Sequence, residues 1–316
     1  MSDPLSPVAI QREVAIENYL SDLASPPASL TKSAQEMSLT EARDCVLWLY
    51  RWGRFKMDRS GFKVDKAGKV TPPDPLQRVK VMPAQVCGVQ FAEVTGYAWS
   101  RQVPYTASAI TATDSAYLDN LDMRTVVLLY RLAQFLNNTW SARKIYHIGI
   151  GHGKGDSTDC HNTGRAIDFA GIVGGDEGNL ELTVPVHWSG QPGCLLTAYK
   201  GRAAGKVEAR APGKVDPWPE GYPTPFYRLD DKRNKHLRAN LMPDTARDFF
   251  QDVYDFAKDN CADASTARTS GGSGTTLDSS AYICHPDHPD PALRNDHWNH
   301  LHFQIGPTKG ETPPIK

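Results

Sequence analysis

Apolar side chains recur at helical spacing in four stretches of the chain, and this periodicity predicts four helices. They cover residues 10–20, 38 to about 57, 115–138 and 244–260. The second stretch opens with Ser38-x-x-Glu41, the pattern of a capping box, and the fourth opens with Asp244, a good N-cap residue.

Short runs rich in β-branched and aromatic residues predict strands between these helices. The runs cover residues 144–150, 165–172, 180–188 and 300–305, and weaker alternation over 84–110 indicates further short strands. Residues 56–83 carry charges, glycines and prolines, which favour a loop or a small hairpin. Helices and strands that do not alternate regularly predict an α+β fold with helices on one side of a mostly antiparallel sheet.

The same pattern divides the chain into a helical N-terminal region, residues 1–84, and a larger domain, residues 85–310. Within the larger domain, residues 198–243 are rich in proline, glycine and charge and are expected to form an excursion on the surface. Gly/Ser-rich residues 265–280 are expected to form a flexible loop. Residues 311–316 form a tail.

Composition excludes several classes of function. Thirty-five basic and thirty-six acidic side chains leave a net charge of −1, so the overall field does not favour nucleic acid. The longest apolar stretch, residues 125–136, contains Arg131 and is shorter than the roughly 20 residues that cross a bilayer. The N-terminus lacks the pattern of a secretory signal. We therefore expect no membrane span and no signal peptide.

The six cysteines are widely separated, without a Cys-x-x-Cys pair, which does not fit a zinc ribbon or a thioredoxin-type site. Their even number permits disulfides without requiring them. Cys261 and Cys284, which flank the Gly/Ser-rich segment, are the pair that we expect if a bridge forms.

Metal-capable side chains concentrate in two segments, His161-Asn-Thr-Gly-Arg-Ala-Ile-Asp168 and Asp296-His297-Trp-Asn-His300-Leu-His302. Residues two apart on a strand face the same side, so the rings of His300 and His302 can reach one point. Gly164 can relieve a tight turn that brings His161 towards Asp168. Two imidazoles, one carboxylate and an open position form the ligand set of a catalytic zinc ion.

These two segments resemble the His-x-x-Gly-x-Ala-x-Asp and His-x-His elements of the LAS metallopeptidases. This group includes lysostaphin-type peptidases, D-alanyl-D-alanine carboxypeptidases and hedgehog-like domains. The order His297-x-x-His300-x-His302 is similar to that of penicillin-insensitive murein endopeptidases, and His302-Phe-Gln resembles the carboxypeptidase and phage endolysin branch. The resemblance covers residues 145–172 and 295–306 and implies an LAS-type fold.

Carried over by position, the resemblance implies that His161, Asp168 and His302 bind one Zn²⁺ ion. It also implies that His300 lies beside the reacting water. The carboxypeptidase-like branch has an acidic general base three residues before the last ligand, where this chain has Asn299. Since a carboxamide cannot accept the proton, His300 becomes the first candidate base, with Asp296 or His297 orienting it.

The resemblance further implies hydrolysis of an amide bond in peptidoglycan peptides, by an endopeptidase or a carboxypeptidase. His152 and Arg101 are candidate substrate-binding residues because of their positions in the chain. An N-acetylmuramoyl amidase and a zinc-stabilised binding module without hydrolysis remain alternatives.

A wall substrate without a signal peptide implies synthesis in the cytoplasm and action in the periplasm or cell wall. Specialised secretion as an antibacterial toxin or release during phage lysis would bring the protein there. The expected partners are therefore peptidoglycan and, for a toxin, an immunity protein or a secretion apparatus.

Overall fold

The computed structural model describes residues 6–100, 106–151, 160–188, 244–261, 283–284, 297 and 299–306. The expected surface excursion at 198–243, the flexible loop at 265–280 and the tail at 311–316 lie outside these residues. The described part is an α+β structure with a mostly antiparallel, partly mixed sheet.

The helices have the following bounds: α1 Pro7–Ser21, α2 Leu39–Arg51, α3 Met123–Trp140, α4 Val184–His187 and α5 Asp244–Asn260, with a 3₁₀ turn at Ala28–Thr31. Helix α2 begins with the expected capping box: the Ser38 side chain accepts from the Glu41 N–H, and the Glu41 side chain accepts from the Ser38 N–H. The predicted helices at the N-terminus and over 244–260 are confirmed.

The strands have the following bounds: β1 Phe55–Met57, β2 Lys63–Val64, β3 Val70–Thr71, β4 Val79–Val86, β5 Val89–Ser100, β6 Thr106–Asp114, β7 Leu118–Leu121, β8 Lys144–Ile150, β9 Ala166–Gly174, β10 Leu180–Thr183, β11 Ile283–Cys284 and β12 Leu301–Gln304. The small hairpin expected within 56–83 is β2–β3.

Ten of these strands form one sheet, in the order β1-β4-β5-β8-β9-β12-β11. Strands β10, β6 and β7 pair with β9, β5 and β4 respectively. Strands β5 and β8 run parallel, and the other pairings are antiparallel. Strand β1 and most of β4 precede residue 85, so the N-terminal region contributes directly to this sheet.

Aromatic side chains join the helices to the sheet. Phe169 of β9 lies between Phe249 of α5, at 6.2 Å between ring centroids, and Phe303 of β12, at 6.4 Å. All three are fully buried. This packing fixes β9 and β12 against α5 and makes them a rigid base for side chains on their other face. Among the described residues, no helix has the length and apolar character needed to cross a membrane.

Helix α2 ends at Arg51, earlier than the expected end near residue 57. Gly53 adopts a φ of +65°, which reverses the chain, and Phe55 then pairs with Val86 in the sheet. Phe55 and Met57 belong to strand β1. The expectation that the helix continues to about residue 57 was therefore wrong.

The helix expected over 115–138 begins at Met123, and residues 118–121 form β7 instead. Leu118 and Leu121 pair with Val81 and Val79 of β4, which explains why their apolar spacing misled the prediction. Asp122 then caps α3, with its side chain accepting from the Arg124 N–H.

One further expectation was wrong. The strand expected over 180–188 stops at Thr183, because Pro185 lies in the first turn of α4 and cannot donate to a strand. Cys261 is a buried free thiol, so it does not form a bridge to Cys284.

Candidate metal centre

Asp168 and His302 occupy directly opposed positions of the antiparallel strands β9 and β12. Opposed residues of such a pair project from the same face of the sheet, which places the two side chains side by side. Their atoms Oδ1 and Nδ1 lie 2.7 Å apart. Residues 134 positions apart are thus brought together by strand register.

His161 reaches the same place from a tight turn before β9. The Gly164 N–H donates to the His161 carbonyl at 2.9 Å, and Gly164 has a φ of +70° that favours glycine. The Asn120 side chain holds this turn by donating to the carbonyls of Asn162 and Gly151. A side chain at Gly164 would collide with the Asn120 carbonyl oxygen, so glycine is required here for packing as well as for backbone conformation.

Three imidazole nitrogens surround one oxygen, Oδ1 of Asp168. His161 Nε2 lies at 3.1 Å, His300 Nε2 at 3.3 Å and His302 Nδ1 at 2.7 Å. Tetrahedral zinc ligands with bonds of about 2.0–2.1 Å are separated by about 3.3 Å, and these distances are close to that value. The predicted ligands His161, Asp168 and His302 form a group whose ligand atoms all lie within 4.8 Å of one another.

The protonation of the His302 ring indicates whether the site fits a cation, and the hydrogen bond on the side of the ring away from Asp168 bears on that protonation. Nε2 of His302 lies 2.8 Å from Gln304 Oε1, which can only accept, so Nε2 carries a proton. In the neutral ring Nδ1 is then a lone pair that faces the carboxylate of Asp168. A contact of 2.7 Å between this nitrogen and the carboxylate oxygen requires a positive charge, either a proton on Nδ1 or a metal ion in its place, so the donor set fits a bound metal ion.

The electrostatics of Asp168 agree with a cation site. Its side chain is 15% exposed, and burial alone would raise its pKa. The charge of His300 and hydrogen bonds with His161, His300 and His302 outweigh burial and hold the pKa of Asp168 well below its ordinary value. The carboxylate therefore stays ionised and available as a ligand.

His300 is held from its other side by Asn299. His300 Nδ1 lies 2.7 Å from Asn299 Oδ1, and Asn299 Nδ2 donates to the Tyr97 hydroxyl at 2.8 Å. Burial is the main reason that the pKa of Tyr97 rises to about 12. Asn299 thus contacts both His300 and Tyr97.

His297, predicted to orient His300, packs against the rings of both His300 and His302. Its ring centroid lies 4.9 Å from that of His300 and 5.3 Å from that of His302. Ligand atoms of these three histidines also lie within 4.8 Å of one another. His297 can therefore contribute a nitrogen to a metal site together with His300 and His302.

A groove of about 720 Å³ lies between residues 113–119 and residues 147–150 of β8. Gly149 lines this groove, and a Cβ placed on it would lie 3.4 Å from Asp168 Oδ2 and 3.6 Å from the His161 ring. His147 also lines it, with Nε2 2.9 Å from Ser115 Oγ. Burial lowers the pKa of His147 to about 4, so the ring is neutral near pH 7.

The other predicted site residues are not described. Asp296, the candidate orienting acid, and Arg101 and His152, the candidate substrate-binding residues, lie outside the described residues. The sequence prediction missed Tyr97, 202 positions from Asn299, and no pattern in the chain indicates that contact. It also missed Gln304, although the two-residue spacing from His302 on a strand would have placed both on one face.

Comparisons of the chain with protein families, with curated proteins and with solved structures give no match.

Proposed function

We propose that this protein is a zinc-dependent hydrolase that cleaves an amide bond in peptidoglycan peptides. The observation that carries the proposal is the convergence of His161 Nε2, Asp168 Oδ1 and His302 Nδ1 on one point, with His300 Nε2 beside them. Three ligands with two nitrogens and one oxygen match catalytic zinc, since structural zinc sites close with four protein ligands, often thiolates.

The residues around the ligands support a reactive site. Gln304 orients His302, and Asn299 orients His300, so both rings are fixed by hydrogen bonds on the side away from Asp168. His300 and His302 are 7% and 8% exposed, which limits access of bulk water. Such burial strengthens electrostatic interactions at the site.

Zinc held by these ligands would polarise the amide carbonyl and lower the pKa of the attacking water. His300 would accept a proton through Nε2, which is the ring nitrogen that faces Asp168. It would then deliver that proton to the leaving amine. Asn299 cannot take this role because a carboxamide is not a base, so His300 replaces the missing acid.

The groove beside Gly149 would hold the substrate peptide. It lies along β8 and is lined by Gly149, which is next to Asp168 and His161. Peptidoglycan as the source of the peptide rests on the resemblance to LAS peptidases. This substrate requires action in the periplasm or cell wall, and we propose delivery by specialised secretion or by lysis.

Digestion of purified muropeptides tests this function. We expect the zinc-loaded protein to release new amino ends within the stem or cross-bridge peptides, as detected by mass spectrometry. A chelator should stop the reaction, and added zinc should restore it. His161→Ala should be inactive, whereas the control His187→Ala, in α4, should retain activity.

The products decide between the alternatives. Cleavage between muramic acid and the first amino acid would identify an amidase. Intact muropeptides after incubation with the zinc-loaded protein would contradict hydrolysis and favour a binding module.

A further inference from the structure

Strand β8 loses its neighbour on one side partway along its length. Residues 90–93 of β5 run parallel to residues 144–147 of β8. Strand β5 then leaves β8 and continues as a hairpin with β6. Strand β8 itself goes on pairing with β9 to its end. Among the described residues, no strand pairs with residues 148–150 on the side that β5 has left.

The backbone of Ile150 is directed to this unpaired side. The N–H of Gly151, the next residue, donates to the carbonyl of Ala166 in β9 at 3.3 Å. Backbone groups alternate between the two edges of an antiparallel strand, so the N–H and C=O of Ile150 are directed away from β9. Ile150 is 4% exposed, and a buried backbone N–H nearly always has a hydrogen-bond partner. No strand in the described part of the chain supplies that partner.

The groove of about 720 Å³ lies at this gap in the sheet. Its lining includes Glu93, the last residue of β5 that pairs with β8, and all of residues 148–150. The opposite wall is formed by residues 113–119, where the chain passes from β6 to β7. Ligand pockets in proteins typically have volumes of roughly 300–1,000 Å³. The groove is therefore large enough for a short extended peptide beside β8.

The same stretch of β8 lies next to the carboxylate of the candidate metal centre. Gly149 opposes Asp168 in the pairing of β8 with β9. A Cβ on Gly149 would lie 3.4 Å from Asp168 Oδ2, so the carboxylate lies against the backbone of β8. Neighbouring strands are about 4.8 Å apart, and a peptide paired with β8 would therefore pass close to this carboxylate.

We infer that the substrate peptide binds as an added strand along residues 148–150 of β8, with hydrogen bonds to the main-chain groups of Ile150. This inference rests on the proposed function, since it assigns how the proposed substrate is held. In this mode of recognition the affinity comes from main-chain hydrogen bonds, and the side chains of the peptide contribute through separate pockets. The groove therefore selects a peptide that is extended at this point.

Hydrogen exchange measured by nuclear magnetic resonance tests the pairing without any turnover. The sample is the zinc-loaded His300→Ala variant, which should hold a peptide without cleaving it, and the probe is a synthetic cross-linked dimer of stem peptides. We expect the Ile150 amide to exchange at least about tenfold more slowly when the peptide is bound. The Ile145 amide, on the part of β8 that has strands on both sides, is the control and should not change. Unchanged exchange of Ile150 at every peptide concentration would overturn the inference.

Kinetics with the zinc-loaded full chain test whether the main chain of β8 is recognised. Ile150→Pro removes the N–H that faces the groove, whereas the matched control Ile150→Val retains it and shortens the side chain. We expect Ile150→Pro to raise KM for muropeptides about tenfold, and Ile150→Val to keep the wild-type KM. Equal KM values in the two variants would contradict main-chain recognition. If Ile150→Pro loses its zinc through misfolding, hydrogen exchange on the unaltered backbone decides.

The outcomes separate this inference from the proposed function. Protection of the Ile150 amide by the peptide, in a protein that cleaves no muropeptide, would support the added strand and reject the hydrolase. Cleavage of muropeptides by the wild type, without protection of Ile150 in the variant, would support the hydrolase and overturn the added strand.

Discussion

Asp168 Oδ1 and His302 Nδ1 lie 2.7 Å apart at directly opposed positions of two antiparallel strands. This relationship makes strand register the determinant of the candidate metal centre. A shift of one residue between β9 and β12 would turn His302 to the opposite face of the sheet. The aromatic packing of Phe169 and Phe303 behind the pair prevents that shift.

Substitution of the ligands should separate metal binding from turnover. We expect His161→Ala and Asp168→Ala to lose both zinc and activity, since each removes one of three ligands. His300→Ala should retain most of the zinc and lose turnover, because the role proposed for His300 is to act on the reacting water. Zinc content by elemental analysis and muropeptide cleavage provide the two readouts. Equal loss of zinc in all three variants would contradict a separate role for His300.

Gly164→Ala should weaken the metal centre through the backbone. The new methyl group would meet the Asn120 carbonyl and would require a left-handed conformation, at a cost of about 3 kcal/mol in unfolding free energy. We also expect zinc affinity to fall at least about tenfold, because the turn that presents His161 is displaced. Thermal unfolding and zinc titration measure the two effects.

Gly88→Ala is the matched control for this substitution. Gly88 has a φ of +79°, but a Cβ there meets nothing within 4 Å. It should cost about 1 kcal/mol and leave zinc affinity unchanged. Similar zinc affinities for the two variants would show that Gly164 does not support the ligand turn.

Asp122→Ala should destabilise the fold by about 3–5 kcal/mol. Its carboxylate accepts from the buried Arg124 guanidinium at 2.9 and 3.0 Å and from Arg78 at 3.1 Å. Removing the carboxylate leaves the positive charge of Arg124 buried without this counter-ion. Denaturant unfolding measures the loss, and the control Asp119→Ala, a partly exposed partner of Lys80, should cost less than about 1 kcal/mol. Equal losses would contradict the importance of the buried pair.

We expect the free energy of unfolding to decrease in mild acid because His147 is buried. Burial lowers its pKa from 6.5 to about 4, so the unfolded chain takes up a proton below pH 6.5 that the folded protein resists. The stability lost to this group between pH 7 and pH 4 should reach about 3 kcal/mol. His147→Gln, which keeps a polar partner for Ser115, should show a smaller decrease in urea unfolding of the metal-free protein. An identical decrease in both proteins would show that His147 does not contribute.

Local patterns predicted the ligand elements well. Strand β8 has the expected bounds, β9 and β12 begin one residue after their predicted starts, and Gly164 makes the turn expected of it. These elements are short, rich in β-branched and aromatic residues, and flanked by turn residues, so their signals are local. His300 precedes β12 by one residue, and its ring still meets that of His302 at Asp168, as the alternation predicts.

Local sequence patterns could not predict the long-range contacts. Neither the Tyr97–Asn299 contact nor the parallel pairing of β5 with β8 has a local signal, because both depend on how distant strands pack. Apolar spacing also gave the wrong element at Leu118 and Leu121, where pairing with β4 outweighs helical periodicity. Local propensity determines whether a segment forms a helix or a strand only where tertiary contacts favour the same element.

Calorimetric titration of zinc into the metal-free protein tests the central claim most directly. The wild type should bind one ion per chain, and the double variant Asp168→Asn/His302→Gln should bind it at least about 100-fold more weakly. Wild-type protein that binds no zinc, or a double variant that binds one ion with wild-type affinity, would contradict a metal centre at these side chains.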